Sequence, residues 1–400
     1  MNRLRLDDKM YILELFLLLG ICLFNMLQNT AMVSNLFQLT FFLLVLIVFV
    51  QLWLNPRLNK LHLMVFMAIA LGFVHITIQA DTINFAYYRK LIIFACTLLM
   101  LPYVNSANVS KRMVGWVLGT NLAIAFLFVF MYYVVGVRGY QDVYLTLNFS
   151  NPNTTAMFLL HSILYCIIAF YYFRHGFLRF LTVVLFVALM VINEKTGSRS
   201  TYVAMAGFAI FTVINIVLKR EVRISKAVSF VLILLPLLLA LGYLLAYRTG
   251  IIERFFSFMV KRGKTLDARV QVWQGALSYF GGSPIIGAYN TMSGGTGMSQ
   301  MHNTHLDVLA SYGAVPFALF IAILHEGVGM ILPKANTNFA RMCMFAFYAI
   351  LLQGSFEAAL VSGGTGLYIL SFGFLLLAKY NVGDIAAGAE ETETQPERLR

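Results

Sequence analysis

The chain has 400 residues, of which 60% are hydrophobic and only 12% are charged, against about 25% charged in an ordinary soluble domain. That balance excludes a water-soluble globular fold and makes bilayer lipid the expected solvent for most of the surface. The net charge of +12 would suit nucleic acid, but the cations fall in short connections between apolar runs, which assigns them to membrane lipid and topology, with no nucleic-acid partner.

A helix crosses a bilayer with about 20 mostly apolar residues. Taken in chain order, stretches of that kind predict spans near 10–28, 33–54, 61–79, 85–104, 113–135, 155–173, 177–193, 199–218, 226–246, 303–325, 339–354 and 361–379. The expected fold class is an all-α polytopic membrane protein of about 12 transmembrane helices. Residues 1–380 would form one integral-membrane domain and the polar stretch 381–400 a cytoplasmic tail. The first run has no small-residue cleavage site and another follows at once, so it is expected to stay as a span. Cys22, Cys96, Cys166 and Cys343 lie inside apolar runs without metal or disulfide spacing and read as small buried hydrophobes.

Short basic connections mark the cytoplasmic side of a membrane protein. Here every second connection is basic: Arg57 and Lys60, Lys111 and Arg112, Arg174 and Arg179, Lys219 to Lys226, and Lys334 with Arg341. Both termini are then cytoplasmic, as in a bacterial inner-membrane protein, and the long connection 247–302 between spans nine and ten is extracytoplasmic. Cations on that outer side gain nothing from topology. They include Arg89 and Lys90 at the end of span four, Arg138 in an outer loop, Arg199 at the start of span eight, and Arg269 in the long loop. Charged groups near helix ends at the membrane are costly enough to suggest function.

Three outer patterns carry the chemistry. Thr196-Gly197-Ser198-Arg199-Ser200 is a small-residue turn that delivers a guanidinium to a helix start. Asp267-Ala268-Arg269 precedes Trp273, so that Arg269, Trp273 and Ala276 share a face if the stretch is helical. His302-Asn303 is followed after nine residues by Gly313 at the entrance of span ten. Arginine grips phosphate with a planar fork, and histidine can take a proton from a hydroxyl near neutral pH. Two arginines and a histidine on one face would stabilise a departing diphosphate while a hydroxyl attacks a sugar carbon.

Other chemistries fit less well. Arg262-Gly263-Lys264-Thr265 mimics the end of a phosphate loop, but Phe258 stands where its first glycine belongs. There is no D-x-D pair, no H-E-x-x-H and no G-x-S-x-G, and His302 with His305 gives two metal ligands without a third. The remaining histidines, His62, His75, His161, His175 and His325, read as structural or interfacial. The repeated Ser293-Gly294-Gly295-Thr296-Gly297 and Ser362-Gly363-Gly364-Thr365-Gly366 read as flexible turns, with a backbone cradle for phosphate as the alternative. Asp267, Glu194 and Glu357 are expected in salt bridges, or else orienting His302 or pairing with an arginine.

The set of Arg199, Arg269 with Trp273, and His302-Asn303 with Gly313 resembles the O-antigen ligase and O-antigen polymerase superfamily of bacterial membrane glycosyltransferases. Arg138 followed by Asn151-Pro152-Asn153 is similar to that family's earlier outer loop. The resemblance covers residues 138–316 and implies a polyprenyl-pyrophosphate-linked glycan as donor, a glycan acceptor, inverting transfer and no cofactor or metal. By the same resemblance His302 would be the base, Arg199 and Arg269 would hold the pyrophosphate, and Arg138, Arg89, Asn303, Trp273 and Asn153 would contact substrate. A polymerase, with a chain-length regulator as a further partner, is favoured because Pro316 departs from the ligase pattern. The alternatives are a ligase acting on lipid A–core and a flippase of lipid-linked sugars.

Overall fold

The computed structural model describes residues 5–27, 59–79, 85–149, 151–218, 222–249, 267–287, 301–361 and 366–380, with a few helical positions between 43 and 50. The expected span 33–54, most of the long connection, both Ser-Gly-Gly-Thr-Gly segments apart from Gly366, and the tail lie outside the described residues. The helices are α1 (Leu6–Leu27), α2 (Lys60–Gln79), α3 (Phe85–Ser106), α4 (Lys111–Phe130), α5 (Pro152–Tyr172), α6 (Gly176–Thr196), α7 (Arg199–Thr212), α8 (Lys226–Arg248), α9 (Asp267–Gly282), α10 (Thr304–Tyr312), α11 (Ala314–Gly329), α12 (Asn338–Gln353) and α13 (Leu367–Ala378).

Among the described residues eight stretches, containing α1, α2, α4 to α8 and α11, are long and apolar enough to cross a membrane. Their outward faces carry side chains that water would not tolerate together, such as Leu63, Phe177, Phe180 and Leu245, each at least 65% exposed. On a soluble protein so much exposed apolar surface would drive association; here it is the expected face toward lipid. The chain is thus an all-α, multi-span membrane protein. Among the described residues the one sheet is an antiparallel ladder of two-residue strands, β1 (Tyr140–Gln141) with β2 (Tyr144–Leu145).

Helix starts follow from local chemistry. Ser110, Ser225 and Thr337 cap α4, α8 and α12 by accepting a hydrogen bond from a first-turn amide, which satisfies one of the donors a helix start leaves open. Asn151 caps α5 and Pro152 occupies its first turn. The Asn-Pro-Asn segment is therefore a helix start, with Asn153 partly exposed in the first turn.

The helix α12 is central, packing against α5, α7, α8 and α13. Neither α12, with 16 residues, nor α13, with 12, reaches the length of a full span. Three interior polar side chains hold α13: Tyr11 Oη donates to Ile369 O, Tyr165 Oη donates to Leu370 O, and His161 Nε2 lies 2.8 Å from Ser371 Oγ. Gly373 makes room for them, because a Cβ there would collide with both tyrosine hydroxyls.

One predicted span divides. The stretch 303–325 is the nine-residue α10 followed by α11, broken at Gly313 with φ +84°. Apolar periodicity runs through the break because both helices are buried on this side, so composition alone cannot show it. The cause is local: Ala314 N–H donates to Pro284 O, and a Cβ on Gly313 would stand 2.8 Å from Gly287 N and closer still to Ile285 O. Only glycine fits that backbone. Gly313→Ala should cost about 1–3 kcal/mol, read as a lower melting temperature in detergent. Gly115→Ala, where nothing lies within 4 Å of the added carbon, should leave that temperature unchanged or raised.

Candidate functional site

The turn that ends α12 meets the start of α10. Thr304 N–H donates to Gly354 O at 2.9 Å, and Thr304 Oγ1 donates to Glu357 O at 3.2 Å. Asn303 is fully buried and saturated: its Oδ1 accepts from the amides of His305 and Leu306, capping α10, while its Nδ2 donates to Pro236 O and Ser355 O. Pro236 lies inside α8, so the start of α10 docks part-way along that helix and not at its end.

This clamp brings Glu357 between a guanidinium and an imidazole. Its Oε1 accepts from Arg269 Nη2 at 2.7 Å, and its Oε2 lies 3.0 Å from His302 Nδ1. The carboxylate side chain is 2% exposed, whereas those of Arg269 and His302 are 27% and 29% exposed. An ionised carboxylate can only accept, so Nδ1 is the donor in this bond, and the neutral tautomer that keeps that proton presents the lone pair of Nε2. The Arg269 guanidinium also lies over the Phe356 ring, 5.8 Å from its centroid, and retains N–H groups beyond the one given to Glu357.

His302 itself has φ +48°, a left-handed conformation that a side chain with a Cβ adopts only when its surroundings impose it. Both neighbours are fixed: Asn303 as described, and Met301 because its carbonyl accepts from Trp273 Nε1 at 3.0 Å. Trp273 is 2% exposed within an apolar cluster that includes Ala240, Val270, Ala276 and Leu306. Expected as substrate contacts, Asn303 and Trp273 are instead interior groups that position the chain on either side of His302. Their polar atoms are already used on main chain.

The remaining expected residues occupy the same end of the bundle without joining the Glu357 pair. Arg199 is exposed at the first position of α7. Two residues on, Thr201 Oγ1 accepts from the Nε2 of Gln353, the residue that leads into the Gly354–Glu357 turn. Among the described residues no hydrogen bond or ion pair involves Arg199. Gly197, with φ +65°, closes α6 and packs against the Tyr144 ring of β2, so the Thr-Gly-Ser-Arg stretch is a tight corner between helices. Arg138 is exposed and stacks over Tyr132 at 5.3 Å. Arg89 lies in α3, and its side chain is outside the described residues. Its neighbour Lys90 is within electrostatic reach of Asp307, which is buried on α10 and also interacts with His302.

Glu357, expected in a salt bridge or else orienting His302 or pairing with an arginine, contacts both His302 and Arg269, whereas no role is expected for Asp307 from the sequence. The signal existed: Glu357 is the single charged residue between Arg341 and Lys379, and Asp307 the single one between Arg269 and Glu326. Between α8 and α9 lies a cavity of about 430 Å³ lined by Leu241, Leu244, Leu245 and Leu277 together with Arg248, Gln274 and Ser278.

No family model matches the chain, and no curated protein matches it.

Asn303→Ala should remove the α10 cap and leave two buried carbonyls short of a donor, a loss of about 2–4 kcal/mol. Asn303→Asp should keep the cap and lose the two donors, giving an intermediate melting temperature. Unchanged melting in both variants would return Asn303 to a substrate-contact role.

Proposed function

We propose that the chain is a polymerase of a surface polysaccharide. It would lie in the bacterial inner membrane with about 12 spans, both termini cytoplasmic and the Glu357 cluster extracytoplasmic. Its donor is a glycan carried on polyprenyl pyrophosphate, and its acceptor is a hydroxyl of the next lipid-linked repeat unit. The observation that carries this reading is the single buried carboxylate that holds His302 through one oxygen and Arg269 through the other.

In the proposed reaction His302 Nε2 takes the proton of the acceptor hydroxyl. The hydroxyl oxygen bonds to the anomeric carbon from the face opposite the pyrophosphate, and the carbon–oxygen bond to phosphate breaks with its electron pair leaving on the diphosphate. Arg269 and Arg199 take up that developing charge. Glu357 holds the imidazole tautomer and stabilises the imidazolium that forms. The cavity between α8 and α9, where four leucines stand with Arg248, Gln274 and Ser278, would take the first part of the prenyl chain and its pyrophosphate.

His302→Ala should lower chain extension by about 10²–10⁴-fold with the protein still inserted and abundant. Arg269→Lys and Arg199→Lys should each be poor substitutes, because a point charge replaces a fork. The assay supplies purified protein with lipid-linked repeat units and resolves the products by size. A product ladder is the expected outcome; products that form only after lipid A–core is added would make the protein a ligase. Normal ladders from the His302 variant would remove it from the mechanism.

A further inference from the structure

One acid of the bundle takes no part in the chemistry above. Glu14 stands eight residues after Leu6 in α1, about 12 Å from the helix start, within a stretch of span length and composition. Its side chain is fully buried, and among the described residues neither Oε1 nor Oε2 has a hydrogen-bond partner. It forms no ion pair among them either. Glu357 is as deeply withdrawn from water but is held by a guanidinium and an imidazole. Glu14 has neither.

The titratable groups that face it are Tyr11 on α1, Cys96 on α3 and Tyr368 on α13, each within electrostatic reach of its carboxyl and nearly inaccessible to solvent. The helix α4 also packs against α1, but its only titratable residues, Lys111 and Arg112, stand in its first turn. Tyr11 gives its proton to Ile369 O, so it has none left for the carboxyl. Tyr368 Oη is a further buried oxygen with no hydrogen-bonded nitrogen or oxygen among the described residues. Tyr368 is the second residue of α13, whose 12 residues make a helix about 18 Å long. The far end of α13 is fixed at one face of the bundle, where Lys379 Nζ donates to Val104 O and Asn105 O at the end of α3. The bilayer core is about 30 Å thick, so α13 begins inside it, beside α1. Interrupted helices of this kind are where membrane proteins place small cations.

We infer that Glu14 is the ligand of an exchangeable monovalent cation, H⁺ or Na⁺, in the interior of the membrane. A carboxylate without a donor or a counter-ion is too costly at that depth to stand alone. A proton on one of its oxygens removes the charge. So does Na⁺ held by the carboxylate together with tyrosine oxygens. One carboxylate balances one charge, which favours a monovalent ion over a divalent one. The inference needs only the helical membrane fold and not the glycosyl-transfer reading.

The test uses the full chain in nanodiscs and reads two signals, the infrared C=O stretch of carboxylic acids, which carboxylates lack, and the melting temperature. In sodium-free buffer the wild type should show a band that Glu14→Gln loses and that Glu14→Asp keeps at a shifted frequency; the Asp variant serves where Gln does not fold. Titration into alkaline buffer should bleach the band. Exchange of choline chloride for NaCl at constant ionic strength separates the two ions. A band that responds to alkali alone upholds the site and assigns it to the proton. Bleaching by Na⁺, with a rise in melting temperature that Glu14→Gln loses, upholds it and assigns it to Na⁺ in competition with the proton. A Glu14 band that neither alkali nor Na⁺ alters would overturn the inference. So would the absence of any such band together with a melting temperature indifferent to Na⁺.

Discussion

A carboxylate withdrawn from water is stable only beside positive charge and hydrogen-bond donors. Glu357 is nearly inaccessible and meets that demand through Arg269 and His302, residues 88 and 55 positions away in the chain. The requirement fixes three segments at once: the start of α9, the left-handed residue before α10, and the turn after α12. Losing either partner would leave the buried carboxylate with one donor fewer. The electrostatic contact that shapes the candidate site is therefore also a tertiary constraint, and the surrounding clamp of Asn303 and Thr304 carries the backbone into register for it.

The fold distributes its polar groups around one short helix. At one end of α12 lies the Glu357 turn; at the other, Arg341. Between these ends the buried face of α12 is mostly apolar, including Met344, Phe347 and Ile350. Interior polar bonds elsewhere follow the same economy. Tyr11, Tyr165 and His161 place their polar atoms on α13, where no water would satisfy them. Along α12 the charged groups are kept to the two ends, and its middle supplies rigid spacing.

Much of this was legible in the sequence because hydropathy is a strong signal at span length. The stretches at 155–173, 177–193 and 226–246 became α5, α6 and α8 with ends shifted by a few residues. The helix through Arg269 and Trp273 lies in what the sequence marked as a long loop, where a shared face for the two residues was expected only on condition that the stretch is helical. The break between α10 and α11 was not legible, since it rests on how closely Gly313 approaches residues 284–287, a long-range contact. Glu357 was legible only as a lone acid in an apolar stretch. Its partners lie in other segments, and no spacing rule connects them. The Asn-Pro-Asn and Thr-Gly-Ser-Arg patterns carried two messages at once, a helix cap or corner and a nearby polar group, and only the first is local enough to read with certainty.

The placement of His302 joins these observations. A histidine at the first helical position would point its ring along α10, and one in a free loop would not keep a fixed direction. With φ +48° it does neither: the chain turns left at His302, and Asn303 begins the helix immediately after it. Trp273 holds the carbonyl on one side of that turn and Asn303 binds α8 and the Ser355 carbonyl on the other. The strain at His302 is thus maintained by buried groups that touch nothing outside the protein. Its imidazole keeps Nδ1 on Glu357 and leaves Nε2 unused by that bond. A purely structural salt bridge could be formed by a histidine in relaxed backbone. The strained position makes sense when the direction of the second nitrogen matters as much as the bond made by the first.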